Sequence, residues 1–360
     1  MRLSLLVRRL STHGGTERFV HGLAGWLLAQ GHEVHCWCAA VDAPIAGVQV
    51  HLLPLRARGR VGKLLALDHA ARAIPPDAQD LLLGFVRGGQ PALYRAGGGS
   101  HRAWMARHGR FWGALADQVE ARLDDRVLAS ARIVVGNSEL AARDLERFSG
   151  VDPAKLRLVR NGVDLARFQP RSGPRPAGPP LVGFLGTGFT RKGLETALQA
   201  LRLLPGVQLQ VGGGDAHLAR WQQRIRRMGL QDRVQLLGPV ARPEAWLPTL
   251  DAFVLPTRYD PSANACMEAL ACGVPVLTSA DNGACEVLPA PWMTVADSTD
   301  APAFAAGLER ALQSNSLQST SLAGPCRAAA EALPAAGAFA SILALSAELL
   351  APSEAPGSAR

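Results

Sequence analysis

Two stretches of this sequence hold residues whose types and spacing could do chemistry. The first, Gly183-Phe184-Leu185-Gly186-Thr187-Gly188-Phe189-Thr190-Arg191-Lys192-Gly193, puts Arg191 and Lys192 on a loop between an apolar run and a helical pattern. A helix start offers unpaired N–H groups and a partial positive charge, so two cations beside it suit a diphosphate. Without a ligand those cations oppose the dipole, and the mismatch favours a binding role over a solvated helix end. The second stretch runs from Pro256 to Val276. Asp260 stands ahead of a helix and Glu268 lies about two turns along it, so the two carboxylates can line one wall of a cleft. Glu268 has Met267, Leu270 and Ala271 as neighbours, which suits an acceptor for sugar or ribose hydroxyls better than a surface carboxylate.

Such loops need a scaffold that ends strands and begins helices along one edge. Residues 3–7 read as a buried strand, 11–17 as a polar glycine-containing turn, 18–30 as a helix stopped by Gly31, and 33–38 as the next strand. That order opens a parallel α/β unit, to which 133–135 and 156–159 add later strands. Residues 169–180, QPRSGPRPAGPP, carry proline after proline and no periodic apolar pattern, which is linker chemistry. Alternation then restarts, with strands at 181–185, 207–211, 234–237, 252–255 and 275–278, a glycine turn at 212–214, and helices at 194–204 and 263–271. The expected architecture is α/β: two facing Rossmann-like domains, 1–168 and 181–335, joined by the 169–180 linker. The active site is expected in the cleft where their strand carboxyl ends meet. A final helix over 336–352 is expected to pack back towards the first domain, leaving a flexible tail at 353–360.

Composition narrows the function classes. At 48% hydrophobic and 19% charged, with a mean hydropathy near zero, the chain is a folded protein rather than a disordered one. The apolar run at 3–7, cut by Arg8 and Arg9, falls short of the about 7–15 residues of a signal-peptide core. No stretch reaches the roughly 18 apolar residues of a membrane span. Six cysteines without CxxC or metal-ligand spacing read as free thiols of a reducing compartment, so a cytoplasmic location is expected, with any membrane contact peripheral. Residues 1–168 hold 23 Lys and Arg against 15 Asp and Glu, and the remainder 15 against 15, so the net charge of +8 lies in the first part. Those charges are either solvated or face an anionic partner. A nucleic-acid binder is signalled by the pI alone, and no GxGxxG turn follows the first strand to support a dinucleotide enzyme.

The combination of strand, Arg191-Lys192-Gly193 and helix with Asp260-x7-Glu268 running into Glu268-Ala269-Leu270-Ala271-Cys272-Gly273-Val274-Pro275 resembles the retaining GT-B glycosyltransferases of family four. Gly14-Gly15-Thr16-Glu17, Asn137-Ser138 and Asn161-Gly162-Val163-Asp164 ahead of Phe168 stand in the order this family uses, and the resemblance covers roughly residues 1–335. In detail the chain is similar to lipopolysaccharide core α-1,3-glucosyltransferases. Tyr94-Arg95-Ala96-Gly97-Gly98-Gly99-Ser100-His101-Arg102 resembles their YRAGDGVHR segment, with Gly98 where that subgroup has aspartate.

The resemblance implies transfer of a hexose, glucose by subgroup, from a nucleotide diphosphate sugar, UDP by subgroup, with retention by front-face attack. It places Gly14, Gly15, Arg191, Lys192, Asp260, Asn264, Ala265 and Glu268 on the donor, and Glu17, Arg102 and Trp104 on the acceptor. His101, Glu17, Arg191 and Lys192 are the implied catalytic groups. No DxD sequence occurs, so the cations are expected to take the place of a metal at the diphosphate, and no cofactor is expected. An anionic glycan or glycolipid acceptor at the inner membrane face would give the basic first domain its partner. Arg56, Arg58, Arg60 and Lys63, and separately Arg102, Arg107 and Arg110 with Trp104 and Trp112, are the candidate contacts. Two other readings stay open: a nucleotide-sugar 2-epimerase-like enzyme, and a nucleotide-sugar-binding protein without turnover.

Overall fold

The structure, a computed structural model, describes residues 1–75, 81–108, 114–173, 177–316 and 321–350. Arg110, Trp112 and the expected tail lie outside the described residues. The chain divides into two compact units, Met1–Val159 with Ala336–Arg360, and Arg160–Ala335. The division falls after Val159, and residues 160–180 belong to the second unit instead of forming the first domain's end and a separate linker. The cause is long-range. Val163 bridges to Pro334, its N–H donating to Leu333 O (3.0 Å) and its carbonyl accepting from Ala335 N (3.0 Å), and Val163 and Phe168 are buried in the second unit's core. Local composition cannot register such a partner.

The first unit is built on strands β1 (Arg2–Leu6), β2 (Glu33–Cys38), β3 (Gln49–Leu52), β4 (Leu82–Gly84), β5 (Leu93–Arg95), β6 (Ile133–Gly136) and β7 (Leu156–Leu158). They form one parallel sheet in the order β3-β2-β1-β4-β5-β6-β7. Leu3, Leu5 and Leu6 are fully buried, as expected for a central parallel strand covered on both faces. Helix Gly15–Ala29 starts earlier than its apolar pattern, at Gly14 with φ 93°, and buries Val20, Leu23, Ala24 and Leu27 at helical spacing. Helix Ala335–Leu350 adds Ala338, Ile342, Leu345 and Leu349 to the same core, with Phe339 edge-on to Phe19 at 5.3 Å. Arg132 Nη1 donates to the Leu349 carbonyl at the end of that helix (3.1 Å).

The second unit repeats the plan with β8 (Leu181–Thr187), β9 (Gln208–Gly214), β10 (Val234–Gly238), β11 (Ala252–Leu255), β12 (Val276–Ser279) and β13 (Thr294–Val295), in the parallel order β10-β9-β8-β11-β12-β13. Residues 212–214, expected as a turn, continue β9 and pair with Leu185, Gly186 and Thr187. A Cβ on Gly213, whose φ is 107°, would collide with the Gly186 carbonyl, so glycine here allows close strand approach instead of reversing the chain. Phe184 and Phe253 are fully buried, each burial stabilising by about 1.5–3 kcal/mol.

Both sheets reverse strand order once, between β1 and β4 in the first and between β8 and β11 in the second. In doubly wound sheets ligands bind outside the carboxyl ends of the strands at that reversal. Among the described residues, no helix is long and apolar enough to cross a membrane.

Candidate functional site

At the reversal point of the second sheet the chain leaves β8, turns at Gly188 (φ 73°), makes the one-turn helix Phe189–Lys192, and turns again at Gly193 (φ 80°) into helix Leu194–Arg202. Arg191 and Lys192 therefore lie in a single helical turn instead of a loop, and stand directly ahead of helix Leu194–Arg202 as expected. Asp215 caps that turn by accepting from Phe189 N (2.7 Å), and buried Phe189 anchors it edge-on to Phe184 at 6.0 Å. A Cβ on Gly193 would collide with the Pro256 carbonyl, and one on Gly186 would come within 2.9 Å of the Lys192 side chain. This packing leaves Lys192 only 8% exposed.

Asp260, on the loop after β11, receives both cations. Its Oδ2 pairs with Lys192 Nζ and lies 3.3 Å from Arg191 Nη1, which also donates to Tyr259 O (3.1 Å). The backbone around Asp260 is fixed by two bonds, Asp260 N to Asp281 O and Gly283 N to Asp260 O, both 2.9 Å. Burial acts to raise its pKa, but the charges of Lys192 and Arg191 outweigh it and hold the carboxyl below the usual range. Asp260 thus partners the cations, and the trio carries two positive charges against one negative.

Asn264 and Ala265 open helix Asn264–Ala271, and Glu268, 6% exposed, lies at its middle. Asn264 Oδ1 accepts from Asn161 Nδ2 (2.7 Å), which also reaches Ser262 O (3.1 Å). Asn282, fully buried, accepts from Ala263 N and Ala284 N (3.1 Å each) and donates to Thr278 Oγ1 (2.9 Å). It positions the helix entry, yet nothing about a single asparagine past a strand marks it in the sequence.

In the first unit Gly14 and Gly15 are exposed at the start of helix Gly15–Ala29, and Glu17 folds over Gly14, where a Cβ would collide with its carboxylate. Beyond β5 the glycine run lies on two guanidinium groups. Cβ atoms on Gly97 and Gly98 would meet Arg95 Nη1 at 2.8 Å and Arg87 Nη2 at 3.3 Å. Arg95 is buried with its guanidinium 3.8 Å from the Phe19 ring centroid, and burial pushes its pKa down to about 10.

His101 then starts helix His101–His108 and is 5% exposed. Its backbone N–H donates to Asp124 Oδ2 (3.0 Å), its Nε2 lies 3.5 Å from Asp117 Oδ1, and its Nδ1 lies 3.8 Å from Glu120 Oε1. Arg60 Nη2 reaches Asp117 Oδ1 (2.9 Å) and Glu120 Oε2 (2.6 Å). Arg87 reaches Glu120 Oε1 (2.9 Å), Asp124 Oδ1 (3.1 Å) and the Gly99 carbonyl (3.1 Å). Tyr94 OH donates to Asp124 Oδ1 (3.2 Å). Burial, then Arg87, lowers the His101 pKa against the opposing pull of Glu120, Asp124 and Asp117. Burial would raise Glu120, but Arg87, Arg60 and His101 hold it below its ordinary value.

The expected first-unit residues thus have definite partners. Trp104 stacks on His101 at 5.2 Å, exposed Arg102 pairs with Asp125 through Nε (2.9 Å), and Arg107 pairs with Asp144 (3.1 Å). Arg56, Arg58, Arg60 and Lys63 are all exposed, and Arg60 reaches from the surface to Asp117 and Glu120. Arg87, Asp117, Glu120 and Asp124 escaped the sequence reading. The spacing of 117, 120 and 124 places three carboxylates on one helix face, a signal that was present.

Residues 13–167 match the family model "Glycosyltransferase Family 4" and residues 166–321 match "Glycosyl transferases group 1". The chain is 28% identical over 307 residues to a probable transglycosylase of Burkholderia thailandensis, covering 80% of each protein. A D-inositol 3-phosphate glycosyltransferase of Xylanimonas cellulosilytica is 30% identical over 180 residues, covering 44% of this chain and 43% of that protein. In fold, the chain is similar to WaaG, a glycosyltransferase involved in lipopolysaccharide biosynthesis, with a TM-score of 0.81 at 16% identity, covering 97% of this chain and 100% of that one. It is also similar to Anabaena HepE in complex with UDP-glucose, with a TM-score of 0.73 at 17% identity, covering 97% and 100%. With a parallel sheet of the same reversing order in each unit and a matching model over each, the two units of this chain are the family 4 and group 1 halves of a GT-B glycosyltransferase.

Proposed function

We propose that this chain transfers a hexose, glucose by resemblance, from a UDP-sugar to a hydroxyl of an anionic cell-envelope glycan such as lipopolysaccharide core, with retention and without a metal at the diphosphate. The observation that carries the reading is the Lys192–Asp260–Arg191 trio at the sheet's reversal point, two cations against one carboxylate. Breaking an anomeric C–O bond to a diphosphate builds negative charge on the leaving oxygens. Cations already fixed before the reaction stabilise that charge without reorganisation. Glu268, with Asn264 and Ala265 at the start of its helix, would orient the donor, and Glu17 at the first reversal point would receive the acceptor hydroxyl. HepE, similar in fold, is seen with UDP-glucose, which supports a nucleotide sugar as donor.

The test is a thermal-shift panel of nucleotides and nucleotide sugars, with and without EDTA, on the wild type and on Lys192→Ala and Glu268→Ala. We expect one uridine diphosphate series to stabilise the wild type, an increment EDTA leaves unchanged and both substitutions remove. Absence of any nucleotide effect overturns the donor site. Binding without hydrolysis or transfer would favour a non-catalytic protein, and conversion of the free sugar nucleotide an epimerase.

The same reading places the first unit against an anionic surface through Arg56, Arg58 and Lys63, which share a segment with exposed Leu52 and Leu65. Vesicles containing anionic lipid should retain the protein at low salt and release it at high salt. No retention at low salt excludes this contact.

A further inference from the structure

We propose that His101, Asp117 and Glu120 form a binding site for a divalent transition-metal ion of the zinc class, in which Arg60 serves as the resident counter-cation when no metal is bound. One ligand atom from each of the three residues falls within a common 4.8 Å, and His101 and Asp117 are buried at 5% and 2% exposure. Imidazole nitrogen and carboxylate oxygen are ligands zinc accepts, at about 2.0–2.2 Å, which places two ligand atoms of one tetrahedron about 3.3 Å apart. The His101 Nε2 to Asp117 Oδ1 separation of 3.5 Å is close to that spacing.

Two independent observations point into the site. His101 Nε2 is buried and has no hydrogen-bond partner among the described residues, and it faces Asp117 Oδ1 at a distance too long for a hydrogen bond. The position between the two carboxylates is already one for a cation, since Arg60 Nη2 lies 2.9 Å from Asp117 Oδ1 and 2.6 Å from Glu120 Oε2. Arg60 can leave it, because its side chain is 53% exposed and reaches in from solvent. Charge then decides in favour of the metal. Buried Asp117 and Asp124 and partly buried Glu120 face Arg60 and Arg87, three carboxylates against two guanidinium groups. Replacing Arg60 by a divalent ion, with Arg87 still on Glu120 and Asp124, brings the cluster to neutrality, the favoured state of a buried ionic group. Arg87 and Asp124 would be the supporting shell, Asp124 holding the His101 backbone and Arg87 orienting Glu120.

This inference does not depend on the donor reading, and its test is a direct one. Co2+ is titrated into the metal-free full chain, following visible d–d absorption, with circular dichroism to confirm folding of each variant. We expect one equivalent bound through nitrogen and oxygen ligands, loss in His101→Ala and in the milder Glu120→Gln, and tighter binding in Arg60→Ala, where no guanidinium competes for the carboxylates. His51→Ala, which removes the partner of His35 (Nδ1 to Nε2, 2.9 Å) elsewhere in the first unit, should leave binding unchanged. Absence of binding in both the wild type and Arg60→Ala overturns the site. So does binding that survives in folded His101→Ala, or a thiolate charge-transfer band that assigns the ion to cysteine. Nucleotide binding by the same samples reports separately on the donor site.

Discussion

The two units place buried ionic groups at the carboxyl ends of parallel sheets of the same order, and balance their charge in opposite senses. Around Asp260 two cations share one carboxylate, and around Asp124 three carboxylates share two guanidinium groups. On the two proposals above, each group suits a partner of the missing sign: an anion in the second unit, a cation in the first. One scaffold, used twice, thus offers two ligand chemistries, and the choice rests on side chains a few residues beyond the strand ends.

The comparison breaks hardest at Asp260. Asp260→Asn leaves Lys192 buried beside Arg191 without a counter-charge and should cost about 3–5 kcal/mol in urea unfolding. Because the folded carboxyl is held below its ordinary value, its contribution is full above the usual carboxylate range and is lost as pH falls through the folded pKa. Wild type and variant should therefore converge in acid, and a saturating nucleoside diphosphate should close the gap at neutral pH. A gap that persists in acid would assign the effect to packing.

Asp124→Asn is the counterpart in the first unit. It removes one ion-pair partner of Arg87 and weakens acceptors for Tyr94 OH and the His101 N–H, at about 2–3 kcal/mol. A double-mutant cycle with Arg87→Met should return a coupling of about 1–3 kcal/mol, whereas additive effects would mean that the pair is not a unit.

Glycines sharpen the contrast within the second unit. Gly188 and Gly193 share left-handed backbone, but only Gly193 lies against the Pro256 carbonyl. Alanine should cost about 1 kcal/mol at Gly188 and about 2–3 kcal/mol at Gly193, read by thermal unfolding. Nucleotide affinity should fall only in Gly193→Ala, which moves Lys192.

The smallest expected effect is chemical. Burial pushes the thiols of Cys266, Cys272 and Cys326 up to about 12, and Cys36 and Cys38 are fully buried, while Cys285 is partly exposed. Thiol labelling of the native chain at pH 8 should modify Cys285 alone, with the others reacting on unfolding. Early labelling of Cys36 or Cys38 would show the first unit opening ahead of the second.

The strand and helix alternation, the Arg191-Lys192 pair and the Asp260-x7-Glu268 spacing were all legible in the sequence, because periods of 2 and 3.6 and the turns between them are local properties. The glycine run at 212–214 was misread because glycine marks close backbone approach as readily as a turn, and the neighbouring strand decides which. Arg191 and Lys192 were found, but their place in a helical turn required Asp215 to cap a segment that no periodicity announces.

What the sequence alone determined is therefore the alternation of elements and the residue types at their ends. Tertiary structure decided who meets whom: Asp260 with Lys192, Arg60 with Asp117, and Val163 with Pro334. The reason is sheet order. A parallel sheet sets neighbours by crossover, so residues far apart in the chain share one edge, and the sign of the charge left over at that edge exists only once they have met.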